Sequence, residues 1–406
     1  MSKYSKLSTY ALSGVVNGLL KILTTLYVAN KLSPEDFSLI GIYGSIIYFL
    51  SPLLAFGSIQ LVAINYIDYS KYLYNLFINK YLSYLLILFF GISVIGIPIS
   101  YIIFNYEIFS LVCLSFVFSF LTNILSIHFA ELIQEQLAKE FFIINLINPV
   151  LTILFLFCFN FISEISWVLY LLSIVFGTLT TLIFSVFRNN NSLKYFKYNF
   201  DLKAYIYYLK YGFPLMVLIG ATWVLNQSDK IIILEYFDKR TLGVYSFAFT
   251  LGVGYQVLNR SLVNTYSPII FTRLKNGEKK INDVIQSFLI INLIALSLGV
   301  FLLFIFKDII IPDDYLDGYS LIFIVFIACA FDGLFKVPGL VLDYYKKNTL
   351  KTLILYFIAL TFLFLTYIFM ELLQLGVYST VTSLLISNML LFIISYFISK
   401  KIIYDL

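Results

Sequence analysis

Four basic side chains sit where a charge is costly. Lys21, Lys230, Arg260 and Lys336 each fall inside an apolar run of bilayer-crossing length. An ionised group near the middle of such a run costs roughly 2.5–3.5 kcal/mol on insertion scales, so it faces water, an acid or an anionic ligand rather than lipid. The chemistry in prospect is the binding of an anion, with no covalent step required. Lys21 and Arg260 have no Asp or Glu within four residues on either side, so an anionic ligand is the simplest partner for both. Lys336 follows Asp332 by one turn, an i, i+4 spacing that favours a structural pair on one helix. Asp229 adjoins Lys230, but adjacent residues project about 100° apart on a helix, so the two are not expected to face the same partner. An ion-coupling role is the alternative reading for Asp229, Asp332 and Lys336.

Polar neighbours accompany the cations at helical spacing. Ser13, Asn17, Lys21 and Thr25 recur every fourth residue, as do Gln256, Arg260 and Asn264, and residues four apart share a helix face. Trp223, Asn226, Gln227 and Lys230 form a third strip. The amides and hydroxyls alone would read as hydrogen-bonded seams between membrane helices. Asn17, Gln256, Trp223, Asn226 and Gln227 are also candidates to meet hydroxyls and ring faces of a ligand.

The elements that must position these residues are membrane helices. The 406-residue chain is 61% hydrophobic and 12% charged, with a mean hydropathy of +0.94, far from soluble-domain composition. Twelve apolar runs of spanning length centre near Leu20, Leu50, Phe90, Phe118, Phe155, Ile174, Leu225, Val253, Leu293, Ile327, Leu360 and Ile386. A barrel would show weaker ten-residue alternations. The expected fold is thus an all-α polytopic membrane protein of about twelve transmembrane helices, with its function among the helices. The run after Lys3 and Lys6 lacks a small-residue cleavage site and reads as the first span. Cys113, Cys158, Cys329 and the lone His128 show no metal-ligand spacing, so no metal or cofactor is called for.

With helices alternating from a cytoplasmic amino terminus, nineteen basic residues fall inside, against Lys31, Lys239, Arg240 and Lys307 outside. That bias places both termini in the cytoplasm. Gly41-Ile42-Tyr43 matches Gly243-Val244-Tyr245 at an offset of 202, each after a short polar turn. Two six-helix lobes follow: residues 1–200, ending in a basic cytoplasmic linker, and residues 201–406. Even-numbered halves enter the membrane in the same orientation, and a cavity between such halves is a transporter arrangement.

Several motifs along the chain carry a family resemblance. Tyr211-Gly212-Phe213-Pro214, then Asn226 to Asp229 ahead of an apolar run, then Gly243-Val244-Tyr245-Ser246, resemble the polysaccharide-exporter branch of the superfamily that includes multidrug and toxin extruders. Leu32-Ser33-Pro34-Glu35-Asp36-Phe37 ahead of Gly41, and Tyr266-Ser267-Pro268 with Phe271, are similar to its other signatures. Ser38 stands where the family usually has Gly, a departure expected to affect helix packing alone.

The resemblance implies a V-shaped, MATE-like fold and a flippase for undecaprenyl-pyrophosphate-linked oligosaccharide units of O-antigen or capsule type in the bacterial inner membrane. It also implies a cleft lined by the first, second, seventh and eighth helices, which carry Lys21, Lys230 and Arg260. Arg260 would be the first pyrophosphate contact, since its planar fork matches phosphate oxygens, and Lys21 the second. Implied partners are the lipid-linked oligosaccharide, membrane lipid and other polysaccharide-assembly proteins, with no nucleic acid. A multidrug or organic-cation extruder would instead need an anionic cavity. A membrane-embedded polymerase would need catalytic side chains in a sizeable outer loop, which the chain lacks.

Overall fold

The computed structural model describes residues 3–56, 61–62, 65–66, 69–188, 196–276, 282–345 and 347–405. Twelve long helices follow one another among these residues. They are α1 (Lys3–Ala29), α2 (Pro34–Ala55), α3 (Lys71–Ile103), α4 (Tyr106–Gln134), α5 (Ala138–Ile162) and α6 (Trp167–Arg188). After them come α7 (Leu202–Tyr236), α8 (Lys239–Lys275), α9 (Asn282–Ile305), α10 (Tyr319–Tyr344), α11 (Asn348–Tyr367) and α12 (Tyr378–Asp405). A single turn at Lys307–Ile310 and a 3-10 turn at Asp313–Gly318 join α9 to α10, and α11 ends in a π turn at Ile368–Leu372.

Each of the twelve apolar runs coincides with a helix, but among the described residues only 11 helices are both long and apolar enough to span. The exception is α8. Its 37 residues extend about 55 Å, beyond a hydrocarbon core of about 30 Å. Its length is therefore sufficient for a span. Gln256, Asn259, Arg260, Asn264 and Ser267 lower its hydropathy, so the least apolar of the twelve helices carries one of the polar strips.

Local chemistry explains the helix starts. Asn105 accepts from the N–H of Ile108 at 3.0 Å to cap α4, and Asp238 accepts from Thr241 at 2.8 Å to cap α8. Ser33 accepts from Asp36 at 3.2 Å, with Pro34 in the first position of α2, where its missing N–H costs nothing. Inside the spans, hydroxyls are satisfied by carbonyls one turn back, as in Thr25 to Lys21 at 2.9 Å and Thr178 to Ile174 at 2.9 Å. Buried Ser38 likewise donates to the Glu35 carbonyl at 2.6 Å, so α2 accommodates it without an orphan hydroxyl.

By contact, the chain forms two units whose boundaries differ from a single cut at residue 200. The first joins Met1–Ser13 to Ile42–Trp223, and the second joins Gly14–Gly41 to Val224–Leu406. All three boundaries thus fall inside helices, in α1, α2 and α7. In the first unit, α3 packs on the first turns of α7 through a tyrosine-rich core of Tyr74, Tyr81, Tyr84, Tyr205 and Tyr208. In the second, the starts of α2 and α8 lie on each other. A Cβ on Gly243 would meet the Cα of Pro34 at 2.9 Å and overlap its carbonyl, so only glycine permits this approach. Phe37 packs edge-on to Phe247 and Tyr315, with ring centroids 6.0 and 5.8 Å away.

Candidate functional site

Lys21 is exposed, one turn before Thr25, on α1. Leu12, Leu19 and Leu23, also exposed, lie about 160–200° around the helix from it. The leucine stripe suits lipid, and the opposite face carries the charge. Ser13, at the start of this strip, is buried and accepts from Asn145 Nδ2 at 2.7 Å. Asn17 is half-buried.

The remainder of α1 lies against α8 within the second unit. Cβ atoms on Gly18 and Gly254 would crowd Val257 Cγ1, at 2.8 Å, and Ile22 Cγ1, at 3.0 Å. Contacts running 18 to 22 on one helix and 257 to 254 on the other mean that the two helices cross antiparallel. Lys21 therefore lies near the depth of Gln256, and Asn17 near that of Arg260, although each pair was found separately in the sequence. Gln256 donates toward Cys329 Sγ on α10 at 3.7 Å, and buried Asn259 toward the Cys329 carbonyl at 3.5 Å. Arg260 occupies α8 one turn beyond Val257, and its side chain lies outside the described residues.

Lys230 is differently placed. It is 4% exposed, beside a fully buried Asp229. Its Nζ donates to Gln227 Oε1 at 3.1 Å, to the Asn226 carbonyl at 3.3 Å and to Asp229 Oδ1 at 3.4 Å. The ring of Phe249 lies 3.7 Å from the ammonium, face-on. Asp229 also accepts from the Lys230 N–H at 2.8 Å and from the Tyr245 hydroxyl. The adjacent residues pair with each other, because the four-carbon lysine stem folds back over its own turn, while their remaining partners differ. Tyr245 and Phe249 escaped sequence reasoning as site residues. Tyr245 stood in the repeated Gly-Φ-Tyr motif, and Phe249 follows it by one turn.

Three further candidates have separate surroundings. Trp223 donates through Nε1 to the Ser45 carbonyl at 3.1 Å and stands edge-on to Phe49, 5.9 Å between ring centroids. Lys336 bonds Asp332 at 2.8 Å on α10. In the first unit the lone histidine, His128, lies 3.8 Å from Glu131, a buried carboxylate that also accepts from the Tyr74 hydroxyl at 3.3 Å. Just beyond α4, burial and then the charge of Glu131 push the Glu135 carboxyl upward.

This arrangement, long polar-striped helices with cations at membrane depth, is that of an α-helical transporter fold. The structure superposes on the lipid II flippase MurJ, in an inward closed conformation, with a TM-score of 0.77 at 15% identity, over 96% of this chain and 86% of that one. An inward-facing multidrug resistance MATE family transporter of the MOP superfamily matches with a TM-score of 0.71 at 13% identity, over 98% and 95% of the two chains. At such identities the likeness is one of fold. The chain belongs to the polysaccharide biosynthesis protein family, whose model matches residues 5–274. It is 27% identical over 266 residues to an uncharacterized membrane protein of Haemophilus influenzae, covering 64% of this chain and 62% of the length of that relative.

Proposed function

We propose that the protein is a flippase that moves undecaprenyl-pyrophosphate-linked oligosaccharide units, of O-antigen or capsule type, across a bacterial inner membrane by alternating access. The carrying observation is Lys21, exposed on the face of α1 opposite its leucine stripe. A charge so placed belongs to a hydrated path and not to lipid. A lipid-linked sugar presents a pyrophosphate and many hydroxyls that hydrocarbon does not solvate, while its polyprenyl tail is at home there. A cationic, wet path open sideways to the membrane would carry the head and leave the tail in lipid. Arg260, on α8 near the depth of Asn17 on α1, is the pyrophosphate contact, with Gln256 one turn away at the depth of Lys21, and the two amides serve sugar hydroxyls.

Membership of the polysaccharide biosynthesis family and the fold shared with a lipid II flippase support this reading over export of organic cations. An extruder of cations would need acids at its disposal. Here Asp229 is engaged by Lys230 and Tyr245, and Asp332 by Lys336. Lys230 on this reading holds the site together instead of touching the glycan.

Deleting the gene in its host and identifying the lipid-linked glycan that accumulates on the cytoplasmic leaflet tests the proposal. Arg260→Ala should abolish rescue while the protein persists in the membrane, Arg260→Lys should rescue in part because charge survives without the fork, and Lys21→Ala should impair rescue. Full export by both alanine variants would overturn the site, and no accumulated glycan would overturn the function.

A further inference from the structure

We propose that residues 196–213, the approach to α7 and its first turns, lie in the membrane interface and bind anionic phospholipid head groups. Helix α7 has 35 residues and extends about 52 Å, more than a hydrocarbon core of about 30 Å requires. Its first part is surplus to crossing the bilayer. Around that part three faces separate at about 100° per residue. Tyr205, Tyr208 and Gly212 are buried: Tyr205 packs on Tyr84 at 5.6 Å and Tyr208 on Tyr81 at 5.5 Å between ring centroids. A Cβ on Gly212 would meet the carbonyl carbon of Phe56 at 2.9 Å. Leu202, Ile206, Leu209 and Phe213 form a second face, and all four are exposed. Lys203, Tyr207 and Lys210 form the third, exposed as well. The residues before the helix continue the pattern with exposed Lys197, Tyr198 and Phe200.

An outward apolar stripe beside a row of lysines is the pattern of a helix that sinks its apolar face into the head-group and acyl boundary. The bilayer is the occupant because the same helix continues into a span. Pro214 stands at the junction, and having no N–H it cannot bond the Lys210 carbonyl. Helices bend at such a residue, so the first part is free to leave the direction of the span and follow the membrane surface. The segment is tied to α3 on its inner side by the Lys197 N–H to Asn79 Oδ1 at 3.0 Å and the Asn199 N–H to Ser83 Oγ at 2.8 Å. Asp201, the acid of the stretch, is engaged by Lys80 at 2.6 Å. The charge turned outward is therefore positive and selects anionic head groups.

Tryptophan quenching tests this without any transport assay. Full-length protein carrying Ile206→Trp is reconstituted in phosphatidylcholine vesicles doped equally with phosphatidylglycerol or phosphatidylcholine bearing brominated acyl chains. Quenching is read as the difference from the parent protein, which has Trp167 and Trp223. Brominated phosphatidylglycerol should quench more strongly, and each of Lys197→Gln, Lys203→Gln and Lys210→Gln should lower that preference by about fivefold. Ile102→Trp, at an exposed site on α3, should be quenched by both lipids without preference. Equal quenching at position 206 by the two lipids would overturn the head-group selectivity. Quenching by neither, with Ile102→Trp still quenched, would overturn the placement in the membrane.

Discussion

Lys230 and Lys21 meet the cost of a charge in the membrane by opposite means. The ammonium of Lys230 is enclosed by Gln227, the Asn226 carbonyl, Asp229 and the Phe249 ring. A desolvated cation–π contact of this kind contributes about 2 kcal/mol. Removing the acid alone strands a buried cation, so Asp229→Ala should destabilise the protein by about 3–5 kcal/mol. A lowered melting temperature and yield in detergent would register it. Asp229→Asn combined with Lys230→Gln removes both charges and should recover most of the loss. A single alanine variant that melts like the parent would refute the pairing. Lys21, being exposed, makes the contrasting case: Lys21→Gln should leave melting unchanged while impairing export.

Close approaches of helices depend on particular glycines. Gly243 lies under the Pro34 carbonyl, where a methyl group has no room, whereas a Cβ on Gly91 would meet nothing within 4 Å. Gly243→Ala should therefore cost about 1–3 kcal/mol through overpacking, and Gly91→Ala should be neutral or add up to about 1 kcal/mol through helix propensity. Thermal unfolding of the two variants side by side checks the contrast. The segment before α7 carries a pH dependence of its own. The Asp201 carboxyl is held below its ordinary range, first by the bond from Lys80 and then by the N–H of Ala204. A lowered carboxyl supplies stability that is present above its unfolded value of about 4 and lost as pH falls through the lower folded value. Amide protection factors over residues 196–211 should therefore hold at neutral pH and drop on acidification below about pH 4. Asp201→Asn should remove that acid-dependent step.

At the scale of the molecule, the basic residues of the connections predict sidedness. Cysteines placed at Asn190, Asn276 and the carboxyl terminus should label from the cytoplasm, and one at Asp314 from the opposite side. Asn190 and Asn276 on opposite sides would break the twelve-helix arrangement. Helix α8 is the critical element, because it is the least apolar of the twelve and Asn190 and Asn276 share a side only if it crosses as α7 does.

The sequence by itself determined that the chain is helical and polytopic, because twelve long apolar runs admit no other solution for the backbone in lipid. It also marked the cations and their polar strips, since one helix face repeats every three or four residues. What only the tertiary structure decided was which strips meet. Gly18 and Gly254 let α1 and α8 cross closely enough to put Lys21 at the depth of Gln256, a contact between residues more than two hundred apart that no local period encodes. The same holds for Lys230. Its neighbour in sequence, Asp229, and a phenylalanine from the next helix help enclose it, because a flexible lysine stem goes where packing leaves charge and ring to receive it.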